Sequence, residues 1–280
     1  MNIGIVGLGV VGGTVRDALL DAGLTVTGYD RYLDLGEPAD LSSAAVVFLC
    51  VSTLSQDDGS LETKEVWAAV RDIEPHLEDG AVVAVKSTVP PGTCDALAEA
   101  IPRLRFASLP EFLVATDPSE TFRRPDRIVI GSGDGDVAQM LSGLMTRVAP
   151  IAPVVVVLPI EAELIKLCSN AMLAAKVTMA NELFDVCRRF GVSWSRLQGV
   201  VGLDRRIGPD HLTVTAERGF GGVCLPKDLD GLIGASRGAG HDPEILRAVA
   251  AFNRRVRRRA DGDGAPTTES LRAAGGEGSA

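Results

Sequence analysis

The sequence predicts an α/β chain, with a doubly wound parallel sheet followed by a mostly helical region that contains one long helix. Short apolar runs alternate with helical patterns up to about residue 158, which is typical of βαβ units. The stretch 160–190 then has no Gly or Pro and carries apolar residues at helical spacing throughout. The length of 280 residues, at about 150 residues per domain, favours roughly two domains.

Seven short apolar runs are predicted as strands. They are 2–6, 24–29, 46–51, 81–86, 105–108, 127–131 and 153–158. Helical patterns lie between and after them, at 10–22, 63–77, 92–101, 136–149, 160–190, 195–201, 227–237 and 243–259. Few residues separate Asp30 from the strand at Val46, so we expect the crossover there to be short or irregular.

Three segments follow from these patterns. We expect a Rossmann-like nucleotide-binding domain at 1–158, a mostly helical domain at 159–259, and a tail at 260–280. The tail is small, polar and Gly-rich, which is typical of disorder.

Composition limits the partners and the compartment. The 28 Lys and Arg residues against 37 Asp and Glu residues give a net charge of −9, which opposes binding to nucleic acid or to anionic membranes. No apolar run approaches the length of a membrane span, of about 18 residues, and the N-terminus lacks signal-peptide features, so a cytoplasmic location is expected. The five cysteines are far apart and have no metal-ligand spacing, so neither a disulfide framework nor a metal site is predicted.

A glycine-rich turn follows the first predicted strand and opens the first predicted helix. Its sequence, Gly7-Leu8-Gly9-Val10-Val11-Gly12, fits GxGxxG. The first glycine makes the tight turn, the second lets the backbone approach a pyrophosphate at the helix N-terminus, and the third packs helix on strand. The turn therefore predicts a dinucleotide site.

An acidic residue, Asp30, ends the next predicted strand. Its carboxylate can accept hydrogen bonds from the adenosine ribose hydroxyls and repels a 2′-phosphate, so NAD is favoured over NADP. Arg31 beside it keeps NADP open as an alternative.

The long helix carries a group of polar residues on one side. Lys166 and Asn170 are four residues apart and share a face, with Glu163 one turn earlier. A Lys and an Asn side by side can stabilise an oxyanion, although such a pair can also be a solvated stripe.

The loop 219–228, GFGGVCLPKD, points to a nucleophile. Its three glycines allow close backbone approach to a ligand, and Cys224 precedes a predicted helix whose N-terminus favours a thiolate. Lys227 adds positive charge, and Asp228 lies near enough to act on a proton. The other four cysteines fall in strand or helix runs, where a buried thiol is the ordinary interpretation.

Several motifs, taken in this order, resemble those of the UDP-glucose/GDP-mannose dehydrogenase family. They are GLGVVG at 7–12, VST at 51–53, STVPPGT at 87–93, PEFL at 110–113, PDRIVIG at 125–131, the helix at 163–182, DRRIG at 204–208 and GFGGVCLPKD at 219–228. The resemblance runs from residue 1 to about residue 255. It implies oxidation of a primary alcohol of a nucleotide sugar to a carboxylate, with two hydrides delivered in succession to two NAD molecules.

The resemblance implies a catalytic role for each matching residue. Cys224 resembles the nucleophile that traps the intermediate aldehyde as a thiohemiacetal, whose oxidation gives a thioester. Lys166 and Asn170 match residues that stabilise oxyanions. Asp228 matches the residue that, with a water, handles the alcohol proton.

The resemblance also implies which residues contact the hydrolytic water, the cofactor and the substrate. Glu111 and Thr88 match residues that activate or hold this water. Cofactor contacts are expected from Gly7, Gly9, Val10, Val11, Gly12, Asp30, Arg31, Thr53, Thr88 and Lys227. Substrate contacts are expected from Glu111, Phe112, Leu113, Lys166, Asn170, Arg206, Phe220, Gly221 and Cys224. Arg206 matches an arginine that reaches a substrate across a dimer interface built on the long helix, which implies a homodimer.

Two departures from the family pattern bear on the substrate. Family members carry a third, C-terminal domain that holds much of the nucleotide, so we expect a truncated member without this UDP-binding domain. The segment 209–213, PDHLT, has an acid where the family supplies a base, which predicts an altered site for a sugar or sugar nucleotide.

Two alternatives stay open. One is a two-electron hydroxy-acid dehydrogenase of the 3-hydroxyisobutyrate or 6-phosphogluconate type, which leaves Cys224 without a task. The other is a catalytically silent NAD-binding subunit that regulates or completes a partner.

Overall fold

Strands form where short runs of β-branched and other apolar residues occur. The computed structural model describes residues 1–56, 59–114 and 116–262. Its strands are β1 (Asn2–Val6), β2 (Thr25–Tyr29), β3 (Ala44–Leu49), β4 (Val82–Val85), β5 (Arg105–Ser108), β6 (Ile128–Gly131) and β7 (Val154–Val157). Each strand overlaps one of the predicted runs, and the differences are confined to the strand ends.

The strands join in one sheet with the order β2-β1-β3-β4-β5-β6-β7. All neighbours are parallel except β5 and β6, which pair antiparallel at Ser108 and Gly131. The predicted doubly wound α/β class is confirmed, and the sheet is parallel at every neighbouring pair except this one. The last residue of β5 pairs with the last residue of β6, so the two strands run in opposite directions. An apolar pattern within one segment does not encode the direction of a strand relative to its neighbour.

Helices flank the sheet on both faces. In chain order they are α1 (Val10–Asp21), α2 (Lys64–Ile73), α3 (Thr93–Ala100), α4 (Pro118–Arg123) and α5 (Gly135–Val148). The sequence pattern missed α4, because its six residues are too few to show helical periodicity. A 3₁₀ turn at Pro38–Leu41 replaces a crossover helix after β2, as the short spacing predicts.

The alternation of side chains along the strands builds two separate apolar layers. Ile3, Ile5 and Phe48 face the layer that also contains side chains of α1, α4 and α5. Val47 and Leu49 face the opposite layer, with side chains of α2 and α3. Because both faces are covered, the carboxyl ends of the strands are left as the edge where loops can hold a ligand.

The remaining helices are α6 (Pro159–Arg189), α7 (Trp194–Val201), α8 (Cys224–Gly238) and α9 (Glu244–Gly262). The predicted long helix is confirmed as α6. The chain divides into a first compact unit, Met1–Leu167, and a second that begins at Cys168 within α6, whereas the sequence predicts a boundary at 158/159. Among the described residues, no helix is both long and apolar enough to cross a membrane.

Two helix ends differ from the prediction. Helix α8 begins at Cys224 and not at Lys227, because Pro226 is tolerated in a first turn, where its missing N–H would have no intrahelical partner. Helix α9 continues to Gly262, three residues into the predicted tail. The rest of that tail, 263–280, lies outside the described residues.

Candidate active site

The glycine turn has the geometry that a dinucleotide needs. Gly7 has a φ of 86°, and a Cβ on Gly12 would lie 1.8 Å from the carbonyl oxygen of Gly7, so neither position accepts a side chain. A Cβ on Gly9 would meet no atom of the described chain within 4 Å, which leaves open space at the start of α1. The N–H groups of Val10 and Val11 begin this helix, where the first N–H groups have no intrahelical partner. The turn therefore fits a pyrophosphate.

Asp30 is buried at the end of β2, and backbone groups hold its carboxylate. One oxygen accepts from the N–H of Leu8 at 2.6 Å. The other accepts from the N–H groups of Tyr32 and Leu33 at 2.9 and 3.0 Å. A carboxylate has about four acceptor positions, so one is left for a ribose hydroxyl. Arg31, which was expected to contact the cofactor, pairs with Asp72 of α2.

The loops after β3 and β4 are joined by a threonine. The hydroxyl of Thr53 is buried and donates to the carbonyl of Thr88 at 2.7 Å. Both residues were expected to contact the cofactor, and the structure brings them together at the carboxyl edge of the sheet.

A buried ion pair lies beyond β5. The ammonium of Lys166 donates to the carboxylate of Glu111 at 2.9 Å, and the N–H of Leu113 donates to the same carboxylate at 2.6 Å. Lys166 lies 5.5 Å from the centre of the Phe112 ring, and Arg127 covers that ring at 4.2 Å. Burial opposes ionisation of Glu111, but Lys166 and the N–H of Leu113 hold the pKa of this carboxyl below its usual value. Glu111 is therefore an anion at neutral pH.

A second lysine, which the sequence reasoning missed, belongs to this group. Lys86 follows β4, is 3% exposed, and donates to the carbonyl of Leu109 at 2.9 Å, with the ring of Phe122 at 5.5 Å. Burial lowers its pKa to about 8, and the charge of Glu111 acts in the opposite direction. Lys86 could have been predicted as a site residue, because it is a charged residue directly after the apolar run 82–85.

Glu163, predicted beside Lys166, has a structural role. Its carboxylate accepts from the N–H groups of Gly92 and Cys94 at 2.5 and 2.9 Å, and so caps α3. Burial raises the pKa of Glu163 despite these two hydrogen bonds.

In the second unit, two buried asparagines shape the loop that leads to Cys224. The amide of Asn253 accepts from the N–H of Phe220 at 2.7 Å and donates to its carbonyl at 2.9 Å. Asn181 accepts from Arg218 and from the N–H of Gly219 at 2.8 and 3.0 Å. The sequence reasoning missed both, although Asn253 occupies a buried position of α9, where a polar residue is a signal.

The predicted substrate residues of this loop occupy different environments. The ring of Phe220 is buried among α6, α8 and α9, so this residue anchors the loop. Gly221 leaves room for the guanidinium of Arg257, which a Cβ would approach to 2.7 Å. Cys224 is exposed in the first turn of α8, where the helix dipole favours a thiolate.

A second buried group lies one turn along α8. Asp228 is 1% exposed, and its carboxylate accepts from the amide of Asn170 at 2.5 Å and from the ammonium of Lys227 at 2.7 Å. The structure therefore brings together three of the predicted site residues. Each lies in the second unit, whereas Glu111 and Lys166 lie in the first.

The thiols differ in reactivity. Burial raises the pKa of Cys50 to about 12 and raises that of Cys94 well above its ordinary value, so both stay protonated.

Arg206 is largely exposed and forms a bidentate pair with Asp204 at 3.0 and 2.6 Å. Its outward position leaves the guanidinium accessible.

Comparisons with known proteins identify the family of this chain. The UDP-glucose/GDP-mannose dehydrogenase family model for the NAD binding domain matches residues 36–149, and its central domain matches residues 160–255. A UDP-glucose dehydrogenase structure from Pyrobaculum islandicum shares 33% identity at a TM-score of 0.82, over 91% of this chain and 68% of that one. The chain belongs to this family.

Other relatives define how far the match extends. The UDP-glucose 6-dehydrogenase of Pseudomonas aeruginosa is 36% identical over 255 residues, which are 86% of this chain and 54% of that protein. The chain spans about half the length of the curated relatives it matches. A 3-hydroxyisobutyrate dehydrogenase of Mycobacterium tuberculosis shares the fold, with 15% identity and a TM-score of 0.71. As a member of the UDP-glucose/GDP-mannose dehydrogenase family, the chain has the NAD-binding and central domains.

Proposed function

We propose that this chain oxidises a primary alcohol of a sugar or sugar nucleotide to a carboxylate, in two successive two-electron steps. The observation that carries the proposal is in the second unit, where an exposed thiol opens α8 and a buried carboxylate lies one turn further. Family membership and the geometry of the glycine turn support NAD as the cofactor. NAD supplies the hydride acceptor for each oxidation.

The first step needs a group that receives the alcohol proton. Asp228, held by Asn170 and Lys227, is that base, and it acts with a water as the resemblance implies. The ammonium of Lys227 lies beside this carboxylate and fixes its orientation. The product of this step is an aldehyde.

The second step starts when the Cys224 thiolate attacks the aldehyde carbon and forms a thiohemiacetal. The carbonyl oxygen becomes an oxyanion, which Lys166 and Asn170 stabilise in this proposal. Loss of a second hydride gives a thioester. Covalent attachment keeps the aldehyde from escaping between the two oxidations.

Hydrolysis of the thioester releases the carboxylate and restores the thiol. Glu111, which is ionised, can take a proton from the attacking water, and Thr88 holds this water in the proposal. Phe112 lies beside Lys166, and Phe122 lies beside Lys86. In the proposal, these two rings limit the access of bulk solvent to Glu111.

The substrate class follows from the segment 209–213. Asp210 places a negative charge where the family has a base, which disfavours a diphosphate and favours an altered substrate. A panel of nucleotide sugars, free sugars and nucleosides, monitored by NADH absorbance, tests this. Activity confined to UDP-glucose would refute the proposal that the substrate is altered. Tight NAD binding without NADH formation on any compound of the panel would refute the proposal that the chain is an enzyme.

The same panel with Cys224→Ala separates the four-electron reaction from a two-electron hydroxy-acid oxidation. We expect carboxylate formation to be lost in this variant. Nearly full turnover would favour the hydroxy-acid dehydrogenase, which has no use for the thiol.

We also propose a homodimer, in which Arg206 reaches the partner's substrate. Three exposed side chains of α6, Met172, Met179 and Val186, recur every seven residues and share one face, and Phe190 extends it. Light scattering after size-exclusion chromatography should give twice the chain mass, and Met172→Glu with Met179→Glu should give the monomer. A wild-type monomer would contradict the proposal. A cytoplasmic location, without nucleic-acid or membrane partners, stays a prediction of the sequence.

A further inference from the structure

The loop after β2 is fastened to α2 by two side-chain contacts. The guanidinium of Arg31 pairs with the carboxylate of Asp72, to which the hydroxyl of Tyr29 also donates at 3.3 Å. One residue further, the hydroxyl of Tyr32 donates to Glu65 at 2.6 Å. Arg31 is thus held on α2, although it directly follows Asp30, the residue expected at the adenosine ribose.

The position of Arg31 matters because NAD and NADP differ by one phosphate at the ribose 2′ oxygen. An arginine at the end of the second strand is suited to bind that phosphate, since its guanidinium matches phosphate oxygens in charge and geometry. In this chain the guanidinium is already neutralised by Asp72. A 2′-phosphate would have to compete with that carboxylate and would also face Asp30.

Asp30 is the other charge that a 2′-phosphate would meet. Both of its oxygens already accept backbone hydrogen bonds, from Leu8, Tyr32 and Leu33, and these N–H dipoles compensate part of its charge. The carboxylate of Asp72 on α2 can therefore add to the effect of Asp30.

We propose that Asp72 is a specificity-determining residue, which excludes NADP by holding Arg31 away from the ribose 2′ position. The inference rests on the proposed dinucleotide site and is independent of the oxidation chemistry. It predicts that Arg31 becomes a phosphate ligand once the carboxylate on α2 is removed.

The test measures equilibrium binding of NAD⁺ and NADP⁺ to the whole chain by isothermal titration calorimetry, without substrate. Asp72→Asn should tighten NADP⁺ binding by about tenfold or more, the range for one charge-assisted hydrogen bond, and change NAD⁺ binding by less than about threefold. Arg31→Met in the Asp72→Asn background should remove this gain.

Glu65→Gln is the matched control, because it removes a carboxylate of the same helix that contacts Tyr32 and not Arg31. It should leave the ratio of the two affinities within about twofold of the wild type. An equal gain in this control would show a general charge effect and overturn the proposal. So would a gain that survives in the double variant, or no gain in Asp72→Asn.

Other outcomes are distinguishable. An equal loss of both affinities in Asp72→Asn and Arg31→Met would show that the ion pair only supports the loop, which overturns the proposal. If Asp72→Asn does not fold, Asp72→Ser also removes the carboxylate, with a smaller side chain, and the same gain in NADP⁺ binding is expected; no gain overturns the proposal. A wild type that binds neither dinucleotide would refute the dinucleotide site, whereas failure to oxidise any sugar would leave this binding result valid.

Discussion

The two units hold their buried charges differently. In the first unit, Glu111 pairs with Lys166, and the charge of the buried Lys86 also acts on the same carboxylate, so this cluster has two lysines for one carboxylate. In the second unit, Asp228 faces the ammonium of Lys227 and the neutral amide of Asn170, so that cluster is balanced. A buried excess of positive charge stabilises an anion that forms during a reaction, whereas a balanced carboxylate is suited to take up and return a proton.

The largest expected effect tests the excess positive charge in the first unit. Lys166→Met removes the ammonium that contacts Glu111, and turnover should fall about 10²- to 10³-fold, as for the loss of one oxyanion donor. Because Glu111 stays buried after losing its direct partner, the free energy of unfolding should fall by about 3–5 kcal/mol. NADH formation and urea unfolding measure the two effects. Lys86→Met is the matched control, because Lys86 donates to the carbonyl of Leu109 and not to Glu111, so it should lower turnover much less. An equal loss of turnover in both variants would contradict a direct role of Lys166.

The next effect concerns the balanced cluster. Asp228→Asn keeps the shape of the side chain but removes the base, so turnover should fall about 10²-fold with little change in fold. Asp230→Asn is a control on the same helix, since its carboxylate faces Arg254 at 3.6 Å. It should change turnover by less than about twofold. A fully active Asp228→Asn enzyme would exclude this carboxylate as the base.

A smaller effect should appear in the pH profile. Lys86 contributes to the lowered pKa of Glu111, so Lys86→Met should raise that pKa and move the acid limb of kcat/KM to higher pH, by about one unit or less. Lys86→Arg keeps the charge and should keep the acid limb in place. Because the pKa of Lys86 is about 8, the wild-type lysine loses its proton above that pH, and the arginine variant does not. An acid limb that does not move in Lys86→Met would show that Lys86 only fixes the backbone.

The smallest effect concerns a buried carboxylate with two N–H partners, Glu163. Its pKa is raised in the folded state, so its contribution to stability is present below the unfolded value of 4.5 and is lost as the pH rises through the folded value. Glu163→Gln should abolish this pH dependence and lower the unfolding free energy by about 1 kcal/mol through a weaker cap of α3. The free energy of unfolding in urea, measured at several pH values from about 4 to about 7, checks both effects. A fall in turnover at a pH where the variant is fully folded would instead show that Glu163 takes part in the reaction.

The features that the sequence predicted well are encoded by neighbours in the chain. The glycine turn at 7–12 and the long α6 follow from backbone conformation and apolar spacing within one segment. The position of Cys224 near a helix start follows from its neighbours in the sequence, and its role as a nucleophile stays a prediction. Its exact place in the first turn was missed, because the helical pattern was predicted to begin at Lys227.

The features that were missed depend on contacts between distant segments. Asp72 meets Arg31 across 41 positions, and Asn253 meets Phe220 across 33. The antiparallel β6 and the capping role of Glu163 likewise depend on how distant elements pack. A single sequence shows which residues are polar, but it does not show which backbone groups they reach.

The stoichiometry of the reaction tests the central claim most directly. Purified chain, NAD⁺ and a substrate found in the panel should give two NADH for each substrate consumed, with a carboxylate as the product. This ratio follows because the thiol of Cys224 retains the aldehyde for a second oxidation. One NADH per substrate, with an aldehyde or ketone released, would contradict the four-electron reaction.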